Sequence, residues 1–297
     1  MRDIKSVNKL LFVLGIDENF VKQVATNKTN HYSPRDHKKI MPDGYEKVRR
    51  IDHPDKEIRT VQKAINKKLL SDECINLAKE MTGGIKYRSA ASNATPHLGA
   101  ESLLSIDISN CFPSISSSMI YCVYTEKLNY SPPVAKFLTR LTSYGDRLPQ
   151  GSPASPSLCN LHLEGLVLEI REILSKSNIA FTQYIDDFTF SGSNNELLLY
   201  QEPLIKCIQR YGLKINKRKL KLQSQNERLF VTGYVVNNNE LKVGRKFIRK
   251  VQRDIIKSNN PASDPSISGS VNYIKQTSHK KANSLKRKIV KNDKAIT

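Results

Sequence analysis

The sequence predicts an α+β protein in which helices surround an antiparallel sheet. Residues 103–108 and 180–185 form two apolar runs with the length and content of buried strands, and both lie in the least charged part of the chain. Apolar residues at helical spacing precede these runs, in residues 4–24 and 58–70. With 297 residues, the chain is long enough to bury a catalytic site among subdomains that share a core.

The chain is strongly basic. Lys and Arg number 48 against 28 Asp and Glu, which gives a formal net charge of +20. The positive charge is concentrated late, since eight Lys or Arg accompany a single Asp from Lys275 onward. A field of this sign attracts polyanions, and it favours a nucleic-acid partner.

Neither a membrane span nor a disulfide framework is expected. No apolar run approaches the roughly 18 residues of a membrane helix, and the apolar stretch at residues 10–14 is too short for a signal peptide. The five cysteines are scattered and include no C-x-x-C pair, which argues against disulfides and structural zinc. We therefore expect a cytoplasmic protein with no membrane partner.

An adjacent acidic pair, Asp186 and Asp187, lies inside the run F-T-Q-Y-I-D-D-F-T-F-S at residues 181–191. Aromatic and β-branched residues on both sides predict a hairpin with the two acids at its bend. Two carboxylates about 4 Å apart repel by roughly 4 kcal/mol at an effective dielectric of about 20. Keeping both ionised therefore calls for a bound cation.

A third acid, Asp107, ends the apolar run at residues 103–108. Three carboxylates with open positions suit Mg²⁺, which keeps its waters and recruits substrate phosphates. Two such ions can clamp the attacking and leaving oxygens of a phosphoryl transfer. The structural alternative is that Asp186 and Asp187 are a turn pair and Asp107 a helix cap. The combination, in a basic chain, favours the metal site.

Three motifs resemble those of reverse transcriptases in order and spacing. They are Y-I-D-D at 184–187, the D-x-x-x-x-F element from Asp107 to Phe112, and L-P-Q-G-S-P-A-S-P at 148–156. The resemblance implies a right-hand polymerase fold of fingers, palm and thumb, with an antiparallel palm sheet carrying the Y-I-D-D hairpin. It also implies that Asp107, Asp186 and Asp187 are catalytic and bind two Mg²⁺ ions.

The same resemblance implies a site for deoxynucleoside triphosphates. Phe112 would lie beneath the incoming sugar and exclude a ribose 2′-hydroxyl. The other implied residues are Arg49 in the element R-x-I-x-x-P, the backbone at Asn110 and Cys111, Gln150, Gly151, and Lys219 in L-K-I-N-K-R-K. Arg49 offers charge-assisted donors to phosphate. For Lys219 the alternative is a solvated basic face.

Two short elements resemble those of retron reverse transcriptases. One is N-A-x-x-H, from Asn93 to His97, and the other is V-T-G, formed by Val231, Thr232 and Gly233. The resemblance implies that these residues bind nucleic acid. A chance V-T-G and a structural His97 are the alternatives, and the position of both elements around the polymerase motifs favours the retron type.

A retron-type enzyme would copy part of a structured noncoding RNA into branched single-stranded DNA, primed from the 2′-hydroxyl of an internal guanosine. The resemblance further implies a role in antiphage defence, with a host ribonuclease H and a separate effector protein acting in trans. Two alternatives remain open. One is another bacterial reverse transcriptase, of the diversity-generating, group II intron-like or abortive-infection type. The other is a catalytically silent RNA-binding protein on the same scaffold.

The expected organisation has four parts. Residues 1–30 form N-terminal helices, 31–101 the fingers with the N-A-x-x-H element, 102–235 the palm with interleaved fingers segments, and 236–297 a basic helical thumb. A strand is predicted over residues 229–236. The thumb would grip an RNA stem through Lys280, Lys281, Lys286, Arg287 and Lys288, unless these belong to a solvated terminus.

Overall fold

The structure, a computed structural model, describes residues 4–40 and 46–296. Its N-terminal part combines helices with one long hairpin, namely α1 (Val7–Leu14), α2 (Glu18–Thr26), β1 (Tyr32–Ile40), β2 (Glu46–Pro54), α3 (Lys56–Ile65) and α4 (Ala90–Ala94). Single 3-10 or π-helical turns occur at Lys28–His31, Asn66–Leu70, Glu73–Asn76 and Thr95–His97. β1 and β2 pair antiparallel along their whole length.

Local signals explain where these helices begin and end. The Ser6 side chain accepts a hydrogen bond from the Lys9 amide and caps α1, which ends at Gly15 in the left-handed conformation. The Asp55 carboxylate caps α3 in the same manner. The face of α3 that carries Ile58 and Val61 is buried, as the apolar spacing predicts.

The central part contains a sheet of five antiparallel strands, which are β3 (Ser102–Ser109), β4 (Ala180–Tyr184), β5 (Asp187–Gly192), β6 (Lys214–Ile215) and β7 (Lys221–Ser224). β3 lies in the middle. β5 pairs along one of its sides, and β6 and β7 share the other. The associated helices are α5 (Cys111–Ser114), α6 (Ser117–Cys122), α7 (Pro132–Thr142), α8 (Ser155–Ile173) and α9 (Asn194–Arg210), with a π-helical turn at Val123–Lys127.

The C-terminal part consists of three very short strands and three helices. They are β8 (Phe230–Val231), β9 (Tyr234–Val235), β10 (Lys242–Val243), α10 (Arg245–Lys257), α11 (Pro265–Lys275) and α12 (His279–Ile296). The single strand predicted over residues 229–236 is wrong, because Thr232 and Gly233 both have positive φ and turn the chain between β8 and β9. None of the helices in the described ranges is both long and apolar enough to cross a bilayer.

Two hydrophobic cores hold these parts together. The first runs from the N-terminal helices through α7 and α8 to one face of the central sheet, and includes Leu10, Ile58 and Phe190. The second lies among β8, β9, α10, α11 and α12, and reaches Ala94 and Leu103. The C-terminal part is therefore packed around apolar residues of its own, joined to the central sheet at β3 and α4.

Candidate active site

The central sheet brings two of the predicted acids directly opposite each other. Asp107 on β3 is the cross-strand partner of Asp187, the first residue of β5. Ile185 and Asp186 form the turn that joins β4 to β5, and the Ile108 amide donates a 2.9 Å hydrogen bond to the Asp186 carbonyl. The expectation that both acids occupy the bend is corrected in one respect, because Asp187 already belongs to the strand.

The turn itself contains a strained residue. Ile185 has a φ of +60°, a region that β-branched residues rarely adopt. Segment 80–84 supports it, since the Thr82 amide donates to the Gln183 carbonyl at 2.8 Å. A Cβ on Gly83 would approach the Ile185 nitrogen to 2.6 Å. Glycine is therefore required where this segment passes behind the turn.

Asp107 is buried but well partnered. Its carboxylate accepts a 3.0 Å hydrogen bond from Asn216 Nδ2 and forms an ion pair with Lys219. Burial works against ionisation, yet hydrogen bonds from Asp187, Lys219 and Asn216 outweigh it and lower the pKa of Asp107. Asp107 is thus held as a carboxylate.

The other two acids are shifted in the opposite direction. Burial, the hydrogen bond to Asp107 and the charge of Asp186 raise the pKa of Asp187 to about 7. Burial and then the charge of Asp107 raise the pKa of Asp186, whereas the cations Lys219 and Arg49 oppose the rise. Lys219 therefore opposes the rise in the pKa of both acids without cancelling it.

The donor set fits a divalent cation. Three carboxylates, with Asp187 half exposed, offer hard oxygen ligands and room for waters and phosphate. Their ligand atoms do not all lie within 4.8 Å of one another in this structure, so they do not form a closed cage. Elsewhere among the described residues, His31, Asp55 and Glu57 have ligand atoms that all lie within 4.8 Å of one another. This second cluster lies at the start of α3, where Asp55 caps the helix. An ion bound at Asp107 would compete with Lys219.

The predicted nucleotide loop is fixed against β2 by a buried carboxylate. Asp52 is 1% exposed; its amide donates to the Gln150 carbonyl at 2.8 Å, and its side chain pairs with Arg147 at 3.1 Å. A Cβ on Gly151 would come within 2.6 Å of the Asp52 carbonyl oxygen. Sequence reasoning missed Asp52 and Arg147, although Asp52 stands inside the R-x-I-x-x-P element.

Arg49 lies on β2, three residues before Asp52, and its side chain is exposed. Its charge acts on the Asp186 carboxylate, opposing the larger effects of burial and Asp107 on that pKa. The structure therefore brings Arg49 into electrostatic range of the acidic turn and onto the strand that holds Gln150 and Gly151. The contact of Arg49 with a triphosphate stays a prediction.

The residues after Asp107 turn sharply out of the sheet. Asn110 has a φ of +50° and is exposed at the start of α5. The Cys111 thiol is buried, 3.5 Å from Cys159 Sγ, and Phe112 is half-buried against the first core. Phe112 and the backbone at Asn110 thus lie next to the acids, and their roles toward a nucleotide stay predictions.

Asn93 and His97 require a correction, because both side chains are only 1% exposed. His97 Nδ1 lies 2.7 Å from Ser191 Oγ, and its Nε2 lies 2.8 Å from Thr182 Oγ1. The Asn93 side-chain oxygen accepts from Thr82 at 2.5 Å. The N-A-x-x-H element therefore joins α4 to β4 and β5 behind the acids. It offers no side chain at these positions for direct contact with nucleic acid.

The V-T-G element is also explained by packing. Val231 is buried, the Thr232 hydroxyl donates to the Ala90 carbonyl at 2.8 Å, and a Cβ on Gly233 would lie 2.5 Å from Tyr273 Oη. Direct contact of the Val231 side chain with nucleic acid is thus wrong. Thr232 and Gly233 line a cavity in the C-terminal part.

α12 carries the five basic residues predicted to bind RNA. Ala282 and Leu285 of this helix pack into the second core, whereas the basic side chains are exposed, namely Lys280, Lys281, Lys286, Arg287 and Lys288. This amphipathic arrangement gives the helix a cationic outer face. Binding of RNA by that face stays a prediction.

Comparison with known proteins agrees with this geometry. The family model described as reverse transcriptase (RNA-dependent DNA polymerase) matches residues 36–236, about two thirds of the chain. The chain therefore belongs to the reverse transcriptase family, whose members have the right-hand polymerase fold and use divalent metal ions.

Several relatives are reverse transcriptases of bacterial retrons. The chain is 29% identical to the retron Ec86 reverse transcriptase of Escherichia coli over 210 residues, which cover 70% of this chain and 65% of that protein. It is 25% identical to the retron Se72 reverse transcriptase of Salmonella heidelberg over 256 residues, covering 83% and 66%. The chain thus spans slightly less than two thirds of the length of these relatives.

Proposed function

We propose that this chain is a retron reverse transcriptase, an RNA-directed DNA polymerase that copies a structured noncoding RNA into branched multicopy single-stranded DNA. One observation carries the proposal. The cross-strand pair Asp107 and Asp187, with Asp186 in the adjoining turn, groups three acids in a basic chain of the reverse transcriptase family.

The acidic cluster would hold two Mg²⁺ ions. When bound, such ions lower the pKa of the attacking hydroxyl and neutralise the triphosphate of the incoming nucleotide. The chain's own groups orient the cluster. Asn216 and Lys219 fix the rotamer of Asp107, and the backbone bond from Ile108 fixes the turn at Asp186. Lys219 would then donate a proton or a hydrogen bond to the departing pyrophosphate.

The nucleotide site would lie between β2 and the start of α5. We assign the triphosphate to Arg49 and to the backbone at Asn110 and Cys111, and the sugar to Phe112. Gln150 and Gly151 would line the same site. Buried Asp52 supports this assignment. It lies on the strand that bears Arg49, and its hydrogen bonds hold the loop that carries Gln150 and Gly151.

The division of the chain follows from this assignment. Residues 31–101 would be the fingers, 102–235 the palm and 236–297 the thumb, with helices at 1–30 in front. The second hydrophobic core supports a C-terminal unit of this kind. The C-terminal residues of this core begin at Leu229, slightly before residue 236. The partners would be the template RNA, its branched DNA and deoxynucleoside triphosphates.

The biological setting is part of the same proposal. A host ribonuclease H and a separate effector protein would act in trans, in the bacterial cytoplasm and in defence against phage. These assignments rest on the retron type of the relatives. The identity of the template RNA is the property that most directly tests them.

The test is to purify the protein from bacterial cells with its bound nucleic acid. We expect one RNA carrying DNA attached through a 2′-hydroxyl, and we expect the DNA to disappear in the Asp186→Asn, Asp187→Asn variant while the RNA persists. Asp254→Asn, on α10, is the control for replacing a carboxylate outside the acidic cluster. Unbranched DNA would point to another class of reverse transcriptase, and RNA without DNA in the unsubstituted protein would point to a silent RNA-binding protein.

A further inference from the structure

A cavity of about 890 Å³ lies in the C-terminal part, and none of the three acids lines it. It opens between the β8–β9 hairpin, the start of α10 and the start of α11. Its volume falls within the range of about 300 to 1,000 Å³ that is typical of sites for small organic groups. The acids, the nucleotide loop and α12 do not line it, so neither the catalytic assignment nor the basic face of α12 accounts for it.

The walls of this cavity are aromatic and rigidly held. Tyr273 stacks on buried Tyr234 with 4.4 Å between ring centroids, and Phe247 meets Tyr273 edge-on at 5.3 Å. The Tyr273 hydroxyl donates to the Thr232 carbonyl at 2.8 Å. Phe230 also lines the cavity and is 45% exposed. Rings fixed in this manner form a platform on which a planar group can stack.

Glycines keep the cavity open. A Cβ added at Gly269 on α11 would meet no other atom within 4 Å, so this helix position faces empty space. Gly244 stands at the start of α10 against the Phe230 ring. A side chain introduced at Gly269 would therefore begin in open space at the lining of the cavity.

The rim of the cavity is cationic. Arg228, Arg245 and Lys246 line it with exposed side chains, and none of them forms an ion pair with a side chain that the structure describes. The lining contains no acidic residue. Aromatic rings beside unpaired cations are complementary to a nucleotide, whose base stacks while its phosphates contact the guanidinium and ammonium groups.

We propose that this cavity binds one unstacked nucleotide from a single-stranded segment of the template RNA. The base would lie against Phe247 and Tyr273, and the flanking phosphates would contact Arg228, Arg245 and Lys246. Cations on an exposed rim suit a polynucleotide that continues beyond the cavity on both sides. The inference rests on the proposed function, because it assumes that an RNA is bound by the C-terminal part.

The test compares two probes by fluorescence anisotropy with the full chain. One is an RNA hairpin with a single-stranded 3′ oligoadenosine tail, and the other is the same hairpin with a blunt end. We expect tighter binding of the tailed probe. Gly269→Met should weaken that binding about tenfold, within the range measured for one stacked base, and should leave the blunt probe unaffected. Gly269→Ala, which adds only a Cβ in open space, is the matched control.

Other outcomes would overturn the inference. It fails if the tail gives the unsubstituted protein no advantage, or if Gly269→Met weakens both probes equally or neither. Phe230→Ala provides a second variant with an exposed side chain, and thermal melting checks that both variants fold. An abasic tail keeps the phosphates but has no base to stack, so it should bind more weakly than the oligoadenosine tail and more tightly than the blunt hairpin. A DNA tail that binds better than the RNA tail would assign the cavity to the product strand and contradict the proposal.

The proposed function is tested separately. DNA synthesis by the unsubstituted protein on a poly(rA) template with an oligo(dT) primer does not require a tailed hairpin. Synthesis without any tail preference removes only the cavity proposal. Tail-dependent binding without synthesis removes the polymerase assignment and retains the nucleotide-binding cavity.

Discussion

Asp107 and Asp187 are direct cross-strand partners on β3 and β5, and they share a hydrogen bond. Like charges at such positions destabilise a sheet, because the side chains of paired residues lie on the same face. Groups after β6 offset the repulsion here, since Asn216 and Lys219 both contact the Asp107 carboxylate. The site therefore depends on residues from three separate segments of the chain.

Asn216 is the neutral member of this arrangement, and its loss should affect activity more than stability. Asn216→Ala removes a donor to an ionised carboxylate, an interaction worth about 1.5 to 3 kcal/mol. We expect kcat/KM for DNA synthesis on poly(rA) with oligo(dT) to fall by about 10- to 100-fold. The neighbouring exposed Lys217→Ala is the control. Equal activity of the two variants would show that Asn216 does not orient Asp107.

Arg147 should stabilise the protein through Asp52. Arg147→Met leaves the Asp52 carboxylate buried without its cation, and breaking such a pair is strongly destabilising. Because Arg147 is partly exposed, we expect a loss of about 2 to 3 kcal/mol in the free energy of unfolding. Urea denaturation measures it. The KM for deoxynucleotides should also rise, since Asp52 holds the Gln150 loop.

The double variant Asp52→Asn, Arg147→Met tests the cause of that loss. Removing both charges should recover part of the lost stability, because no unpaired carboxylate remains buried. Additive losses in the single and double variants would mean that the two side chains act independently.

His97 should make the protein sensitive to mild acid. Burial lowers its pKa from 6.5 to about 4, so the unfolded chain binds one more proton than the folded protein between these values. The contribution of His97 to the free energy of unfolding is therefore complete above pH 6.5, decreases as the pH falls, and stays constant below about pH 4. From pH 7.5 to 5 His97 by itself lowers the free energy of unfolding by about 2 kcal/mol, whereas the raised pKa of Asp187 acts in the opposite direction over the same interval.

The matched variant is His97→Gln, which has no titrating group at this position. The difference in free energy of unfolding between the unsubstituted protein and this variant should therefore shift by about 2 kcal/mol against the unsubstituted protein from pH 7.5 to 5, because Asp187 titrates in both proteins. Parallel pH profiles for the two proteins would exclude His97 as the source.

The sequence predicted the parts of the fold that depend on local pattern. Apolar spacing identified β3, β4 and α3, because each buries one continuous face or run of residues. It did not identify the turn at Thr232 and Gly233, where a hydrogen bond to Ala90 and the Tyr273 hydroxyl decide the conformation. Those contacts come from residues far away in the chain.

The candidate site shows the same division. The three acids were found from their residue types and spacing, whereas the burial of Asn93 and His97 depends on the packing of α4 behind β4 and β5. A short motif indicates which residues a family shares. Whether such residues face a ligand or the interior is decided by the tertiary structure.

Gly83 illustrates a requirement that spacing alone does not reveal. Nothing in its local sequence marks it as special, yet a Cβ there would lie 2.6 Å from the Ile185 nitrogen and 2.8 Å from the Tyr184 carbonyl carbon. Gly83→Ala must therefore displace the turn that carries Asp186, which already contains a residue with unfavourable φ. We expect DNA synthesis to fall by at least about tenfold and the protein to lose about 1 to 3 kcal/mol of stability.

Gly269→Ala is the control that shows whether the effect of an added methyl group is specific to Gly83. It introduces the same methyl group where the structure leaves open space, so synthesis and melting temperature should stay close to those of the unsubstituted protein. If Gly83→Ala were equally active, segment 80–84 would have to move away from the turn at no cost. The geometry of Asp186 would then be independent of that segment, and the support of the catalytic turn would have to come from β3 alone.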